Sequence, residues 1–230
     1  MKICRNILSV TFLTLGFIFF YAFNIYSQEF NYEIGGMAGT SHYMGDANKS
    51  KPFLNPGFAT GAVFRYNISF RWALKANLLM GNVSGKTGSS VFPIDQDLSF
   101  NRRFYDMGTQ LEFNLLPYSD MYEYIGTRHY TPYLFTGVGL TYANGENNFL
   151  NVNMPLGVGF KYKLKNRVNI GIEFSMRKLF ADDFDVTHNE PGFNLNEPYG
   201  IKSSILKNQD WYSLILIFLT WEFNKKEDPC

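Results

Sequence analysis

The sequence predicts an all-β fold: an eight-stranded antiparallel transmembrane β-barrel of the outer-membrane type, preceded by a cleavable signal peptide. Three observations predict it. Apolar residues alternate with small or charged residues in eight separate runs. The connections between these runs alternate between short and long. Aromatic residues make up 18% of the 230 residues, with 23 Phe and 15 Tyr, which suits a barrel with aromatic girdles at both membrane interfaces.

The alternation is clearest in a predicted hairpin over residues 154–180, which turns at residues 165–167. The odd positions are mostly glycine or charged, and a crowded polar interior accounts for such a face better than contact with open water does. A barrel in lipid needs an apolar outside, and only closure pairs every backbone N–H and C=O group. The even positions of both arms are apolar: Met154, Leu156, Val158, Phe160, Tyr162, Leu164, Val168, Ile170, Ile172, Phe174 and Met176.

Residues 1–27 are predicted to be a secretory signal peptide. Lys2 and Arg5 supply the positive start, residues 7–23 carry no charge, and Ser27 is a small residue before the expected cleavage. The alternative is a membrane anchor, for which 17 uncharged residues lie at the short limit. Cleavage would remove Cys4. The predicted barrel then occupies residues 28–223, and a periplasmic tail occupies residues 224–230.

Eight runs have the length that a tilted strand needs to cross a bilayer. The third has Leu79 as a misfit on its polar face, and the eighth is apolar on both faces, so alternation decides nothing there. The eighth does place an aromatic pair near its end, which resembles the signal that barrels present to the assembly machinery. The predicted strands are 30–39, 56–67, 70–81, 104–116, 130–142, 153–164, 168–180 and 210–223.

The connections predict the orientation of the barrel. Those after strands two and six are two or three residues long, whereas bacterial barrels have short periplasmic turns and longer external loops. Both termini are therefore predicted to lie in the periplasm. One connection, residues 117–129, is long yet falls on the short-turn side. The predicted external loops are 40–55, 82–103, 143–152 and 181–209.

Charged residues fall on the predicted inner face, and an eight-stranded barrel is just wide enough for side chains to fill it. Three carboxylates among four cations can satisfy one another, as buried charges require. The prediction is a packed salt-bridge network; the alternative is a narrow charged pore or a proton path. The residues are Glu33, Arg65, Lys75, Glu112, Lys161, Glu173 and Arg177.

The sequence nominates no catalytic residue, metal ligand or cofactor. His42, His129 and His188 fall in predicted loops and share no metal-ligand spacing. The acidic residues 182–185 lack the glycine and distal glutamate of a calcium loop. With a formal charge of +1 and no long basic run, nucleic acid is not an expected partner.

Several short motifs together resemble the PorG-like outer-membrane proteins of the type IX secretion system of Bacteroidetes. The resemblance covers essentially the whole mature chain. The Tyr43-Met44-Gly45-Asp46 piece, with Tyr43, Gly45 and Asp46, and the end of the chain are its most specific parts. The other pieces are 32–36, 132–139, 209–212 and 229–230.

The resemblance implies a small barrel in the outer-membrane lipid. Its role would be to tether the periplasmic ring of the secretion machine, built of a lipoprotein and its partner subunit. It implies no catalytic residues. Cys230, the only cysteine expected in the mature chain, is predicted to form an intermolecular disulfide with such a subunit or to have no role. The alternative function is a porin-like or adhesin-type barrel without a role in secretion.

Overall fold

A computed structural model describes residues 30–43, 56–86, 99–119, 126–144, 149–165, 167–180 and 211–225. Eight antiparallel strands form a closed barrel in which each strand pairs with its neighbours in sequence and β1 pairs with β8. The predicted eight-stranded antiparallel barrel is confirmed. The strands are β1 Phe30–Tyr43, β2 Gly57–Asn67, β3 Trp72–Lys86, β4 Ser99–Asn114, β5 Tyr130–Asn144, β6 Phe149–Lys165, β7 Val168–Leu179 and β8 Trp211–Lys225.

Burial follows the predicted alternation. On β5, for example, Leu134, Val138 and Leu140 are exposed on the outside, whereas Tyr133 and Phe135 are buried inside. Even β8, where both faces are apolar, has a defined orientation: Ile217, Leu219 and Trp221 point outward. An outer surface of exposed apolar side chains around a closed ladder is the arrangement that a lipid environment requires. No helix among the described residues is long and apolar enough to span a membrane.

Aromatic side chains form a girdle around one end of the barrel. We call this the terminal end, because β1 starts there and β8 finishes there; the opposite end is the far end. The Tyr32 ring lies 5.3 Å from that of Tyr66 and 5.6 Å from that of Phe223. The girdle continues in the pairs Trp72–Phe113, at 4.7 Å, and Tyr130–Phe160, at 6.1 Å. Such residues sit at the headgroup level of a membrane.

At the far end the strands extend into three of the predicted external loops, whose boundaries are therefore wrong. β1 continues to Tyr43, and only residues 145–148 separate β5 from β6. The β3–β4 ladder runs past the predicted strand ends to the Lys86–Ser99 pair. The polar Ser, Asn and Arg residues of this region suggest loops, yet strands can stay paired in water once they have left the lipid. At the terminal end β8 continues to Lys225, two residues into the predicted tail.

Inward-facing glycines make room for inward-facing aromatic rings on neighbouring strands. Gly159 pairs with Tyr133 and Gly157 pairs with Phe135 across the β5–β6 ladder. A Cβ atom at position 159 would lie 2.4 Å from Tyr133 Cζ, and one at position 157 would lie 2.4 Å from Phe135 Cζ. The glycine-rich face of the predicted hairpin therefore exists because large side chains of β5 fill the space above it.

Leu79, the misfit of the third run, lies inside the barrel and is 3% exposed. Its cross-strand partner on β2 is Gly61, and a Cβ atom there would lie 2.8 Å from Leu79 Cδ2. Leu79 thus occupies the space that Gly61 leaves empty. It belongs to an apolar layer in the barrel interior that also contains Met37, Val63 and Leu216.

Several predicted features lie outside the described residues. These are the signal peptide with Cys4, the motif residues Gly45 and Asp46, the acidic residues 182–185, His188, and the tail beyond Lys225 with Cys230.

Candidate functional site in the barrel interior

Six of the seven predicted interior residues form one cluster, which we call the central network: Glu33, Arg65, Lys75, Glu112, Lys161 and Glu173. Glu112 is its hub. Its carboxylate accepts hydrogen bonds from Arg65 Nε at 2.8 Å and Lys161 Nζ at 3.3 Å, and Lys75 Nζ lies 3.4 Å away. Arg65 also bonds Glu33. Six strands contribute these groups, one residue each: β1, β2, β3, β4, β6 and β7.

Neutral side chains add further hydrogen bonds to the carboxylates of the central network. Glu33 accepts hydrogen bonds from Asn67 Nδ2 and Thr220 Oγ1, both at 2.9 Å. Glu173 Oε1 accepts one from Lys75 Nζ at 2.6 Å and one from Tyr133 OH at 2.5 Å. A buried carboxylate is tolerated when its lone pairs are filled in this way.

The seventh predicted residue, Arg177, belongs to a different cluster. Arg177 and Glu173 share the inward face of β7, but the guanidinium of Arg177 bonds Asp106 on β4. Asp106 Oδ2 also accepts hydrogen bonds from Tyr212 OH and Asn153 Nδ2, both at 2.7 Å. We call these four residues, with Thr141, the far-end cluster. A separation of four residues along one strand is enough to give the two β7 side chains different partners.

A third polar group closes the terminal end. Lys163 Nζ lies 2.9 Å from Glu222 Oε2, and Asn169 Nδ2 donates to Glu222 Oε1 at 2.8 Å. Tyr118, which is fully buried, donates from its hydroxyl to Asn169 Oδ1 at 2.7 Å. Its ring lies 5.2 Å from Lys161 Nζ and 5.4 Å from Lys163 Nζ. The Tyr118 ring thus packs against both lysines from the terminal end.

Tyr118 comes from the long connection that broke the predicted pattern of short turns. Backbone hydrogen bonds hold this connection across the barrel end: Tyr118 N donates to Phe70 O at 3.1 Å, and Arg128 N donates to Pro117 O at 2.8 Å. Lys163 N donates to His129 O at 2.7 Å. The extra length of the β4–β5 connection therefore carries a side chain into the lumen.

The interior ion pairs contain equal numbers of the two charges. Among the described residues, five carboxylates and five cations form these pairs, more than the three carboxylates and four cations predicted, and Arg102 is a further buried cation on the inward face of β4. The carboxylates are Glu33, Asp106, Glu112, Glu173 and Glu222, and the cations are Arg65, Lys75, Lys161, Lys163 and Arg177.

Sequence reasoning left out four residues that the structure adds. Asp106 and Lys163 sit at inward positions of the alternation, which was the signal that could have found them. Glu222 was hidden because β8 is apolar on both faces along most of its length. Tyr118 lies outside any strand, so periodicity gives no information about it.

Apolar side chains separate the polar groups and fill the remaining space. The ring of Phe135 lies 4.3 Å from Lys75 Nζ, and the ring of Phe218 lies 5.2 Å from Arg65 Cζ. Each cation of the central network that faces the apolar layer therefore contacts an aromatic face, which favours a positive charge. Large side chains thus fill the interior along the described strands.

Histidine placement differs from the prediction in one case. His42 lies in β1, not in a loop, and is 6% exposed, with Nε2 3.0 Å from Thr40 Oγ1. His129 is exposed in the connection just before β5. Across the part of the chain that the structure describes, no group of three or more His, Cys, Asp or Glu side chains is arranged to hold a metal ion.

Comparison with known proteins finds similar solved structures at low identity. Neisserial surface protein A is 12% identical, with a TM-score of 0.48 over 84% of this chain and 97% of that one. Ail, the attachment invasion locus protein of Yersinia pestis, is 9% identical, with a TM-score of 0.47 over 85% and 100%. OprG from Pseudomonas aeruginosa is 12% identical, with a TM-score of 0.47 over 87% and 98%.

The assignment of the fold rests on the strand pairing of this chain itself, since the similarity to those structures is too low to carry an argument. No curated protein sequence matches the chain. A family model does match, from residue 10 to residue 230, and so covers nearly all of the sequence. The chain belongs to the family described as a domain of unknown function, DUF6089.

Proposed function

We propose that this protein is a non-conducting outer-membrane barrel that tethers the periplasmic ring of a type IX secretion machine to the membrane. The observation that carries the non-conducting part is the filled, ion-paired interior, closed at the terminal end by Tyr118. The secretion part is supported by the sequence resemblance to PorG-like proteins, which includes Tyr43 and the Trp211-Tyr212 segment.

Because the interior is filled, the proposal assigns the function to the outer surfaces of the barrel. A diffusion pore needs mobile water along its axis, whereas here each interior carboxylate is bonded to a cation from another strand. An anchor needs only a stable barrel with a lipid-facing exterior and one end that reaches its partners. The exposed apolar belt meets the first requirement.

The terminal end is the proposed partner surface. The proposed orientation places it in the periplasm, together with both termini and the β4–β5 connection. The ring subunits, a lipoprotein and its partner, would bind there, and Cys230 is the proposed site of a disulfide to one of them. During insertion, the assembly machinery would engage β8, whose Trp221 and Phe223 rings stack at 5.9 Å.

Co-purification tests the tether. The native protein, solubilised from outer membranes in mild detergent, is expected to carry the periplasmic ring subunits with it, identified by mass spectrometry. A variant in which His129→Ala alters the exposed part of the connection should lose them while still folding. Asn101→Ala, on the far end, is the matched control. Recovery of no secretion subunit with the native chain would refute the secretion role.

Conductance tests the closed lumen. In planar lipid bilayers the native protein should show no ion channels. Tyr118→Ala should also be silent, because the central network and the apolar layer still fill the barrel above that position. Steady conductance from the native chain would contradict the tether proposal and favour the porin-like alternative. Binding of a surface ligand by a silent barrel would instead favour an adhesin.

A further inference from the structure

We propose that the terminal end carries a binding site for the phosphate of an anionic phospholipid headgroup, formed by Arg71 and Arg128. This site is distinct from the interior networks and does not depend on a role in secretion. It would hold the barrel at a fixed depth and rotation in the leaflet that surrounds this end.

The first argument is charge. All five carboxylates among the described residues lie inside the barrel, each in an ion pair with an interior cation. Arg71 and Arg128 are exposed on the outside. The carboxylates of the described part of the chain are thus engaged inside the barrel, and the two exposed guanidinium groups give this rim a positive charge that attracts anions.

The second argument is position. Tyr118 links the two arginine segments, because its N–H donates to Phe70 O while the residue also forms a bridge with Arg128. Arg71 Nη1 donates to Leu115 O at 2.9 Å. That bond fixes one edge of its guanidinium and leaves further N–H groups for a ligand. Both arginines are thus attached to the same ordered rim.

The third argument is depth. Arg71 directly precedes Trp72, whose ring pairs with Phe113 at 4.7 Å. Arg128 lies two residues before Tyr130, whose ring stacks on Phe160 at 6.1 Å. Aromatic girdles sit at the headgroup level, so the two guanidinium groups lie beside lipid phosphates. Guanidinium binds phosphate through paired N–H donors. This depth favours a lipid over an acidic protein as the occupant.

Tryptophan quenching by brominated lipids can test the site. The chain has 3 Trp, so Trp211→Phe with Trp221→Phe leaves Trp72 as the single reporter beside the rim. This protein is folded into phosphatidylcholine vesicles that contain a small fraction of brominated phosphatidylglycerol or, in parallel, brominated phosphatidylcholine. Quenching of Trp72 should show a preference of about thirtyfold for phosphatidylglycerol, as expected for two cations near the membrane surface.

Two variants in the same background decide the outcome. Arg71→Gln with Arg128→Gln should abolish the preference, while Arg103→Gln, an exposed arginine of β4 at the far end, should leave it unchanged. Equal quenching by both lipids in the unsubstituted reporter would overturn the proposal. So would an equal loss with Arg103→Gln, since that would indicate only general surface charge.

A separate experiment distinguishes a lipid phosphate from free inorganic phosphate as the ligand. Inorganic phosphate added at millimolar concentration should not displace the brominated phosphatidylglycerol, because a free anion lacks the anchoring of the acyl chains. Displacement by inorganic phosphate would show a general anion site and overturn the lipid assignment. If the double variant keeps its lipid preference but no longer co-purifies with periplasmic proteins, the rim binds protein and the proposal fails.

Discussion

Replacing Glu112 with Gln should lower the free energy of unfolding of the barrel by about 3 to 5 kcal/mol, the usual cost of removing one partner from a buried ion pair. The carboxylate of Glu112 contacts Arg65, Lys75 and Lys161, and its side chain is fully buried. The substitution keeps the shape of the side chain and removes its charge. Urea unfolding in detergent or lipid vesicles, followed by tryptophan fluorescence, measures the difference.

A control and a partial rescue accompany this variant. Leu111→Val changes the adjacent outward position, which is 41% exposed, and should alter the free energy of unfolding by less than about 1 kcal/mol. Adding Lys161→Met to Glu112→Gln should recover part of the loss. It removes a buried cation whose described ion pair is with Glu112. An unchanged unfolding midpoint in Glu112→Gln would indicate that water already solvates the network, and would favour the pore.

Replacing Gly159 with Val should destabilise the barrel by about 3 kcal/mol, the upper part of the usual range for overpacking. The new Cβ atom would lie 2.4 Å from Tyr133 Cζ and 2.5 Å from its hydroxyl oxygen. Tyr133 is not free to move aside, because its hydroxyl bonds Glu173 at 2.5 Å and Lys161 Nζ lies 4.9 Å from its ring. Heat modifiability on gels and urea unfolding both report the loss.

Gly36→Val is the matched control for this substitution. Gly36 faces outward on β1, and the nearest atom to an added Cβ there is a backbone oxygen at 3.8 Å. Valine should therefore be neutral at that position, since β-branched residues fit an exposed strand. Shortening Tyr133 to Leu in the Gly159→Val background should recover part of the stability. Equal effects at positions 36 and 159 would mean that strand propensity, not interior crowding, decides the outcome.

The strands and their orientation toward lipid could be predicted because a residue in a strand alternates between two faces regardless of its distant partners. The seven predicted interior residues lie inside the barrel for this reason. The ends of the strands were harder to predict from the sequence. The β3–β4 ladder continues through Asn82–Arg103 and Val83–Arg102, and polar composition alone does not distinguish a strand in water from a loop.

By itself the sequence determined the closed all-β architecture, the apolar exterior and the set of inward charges, since each depends on a local period of two. Only the tertiary structure decided which charges meet. The register of β4 against its neighbours, and the curvature of the closed sheet, bring Asp106 to Arg177 and Glu173 to Lys75. Closure also decided that Tyr118 seals the terminal end, because the position of a loop residue depends on contacts that converge from strands far apart in the sequence.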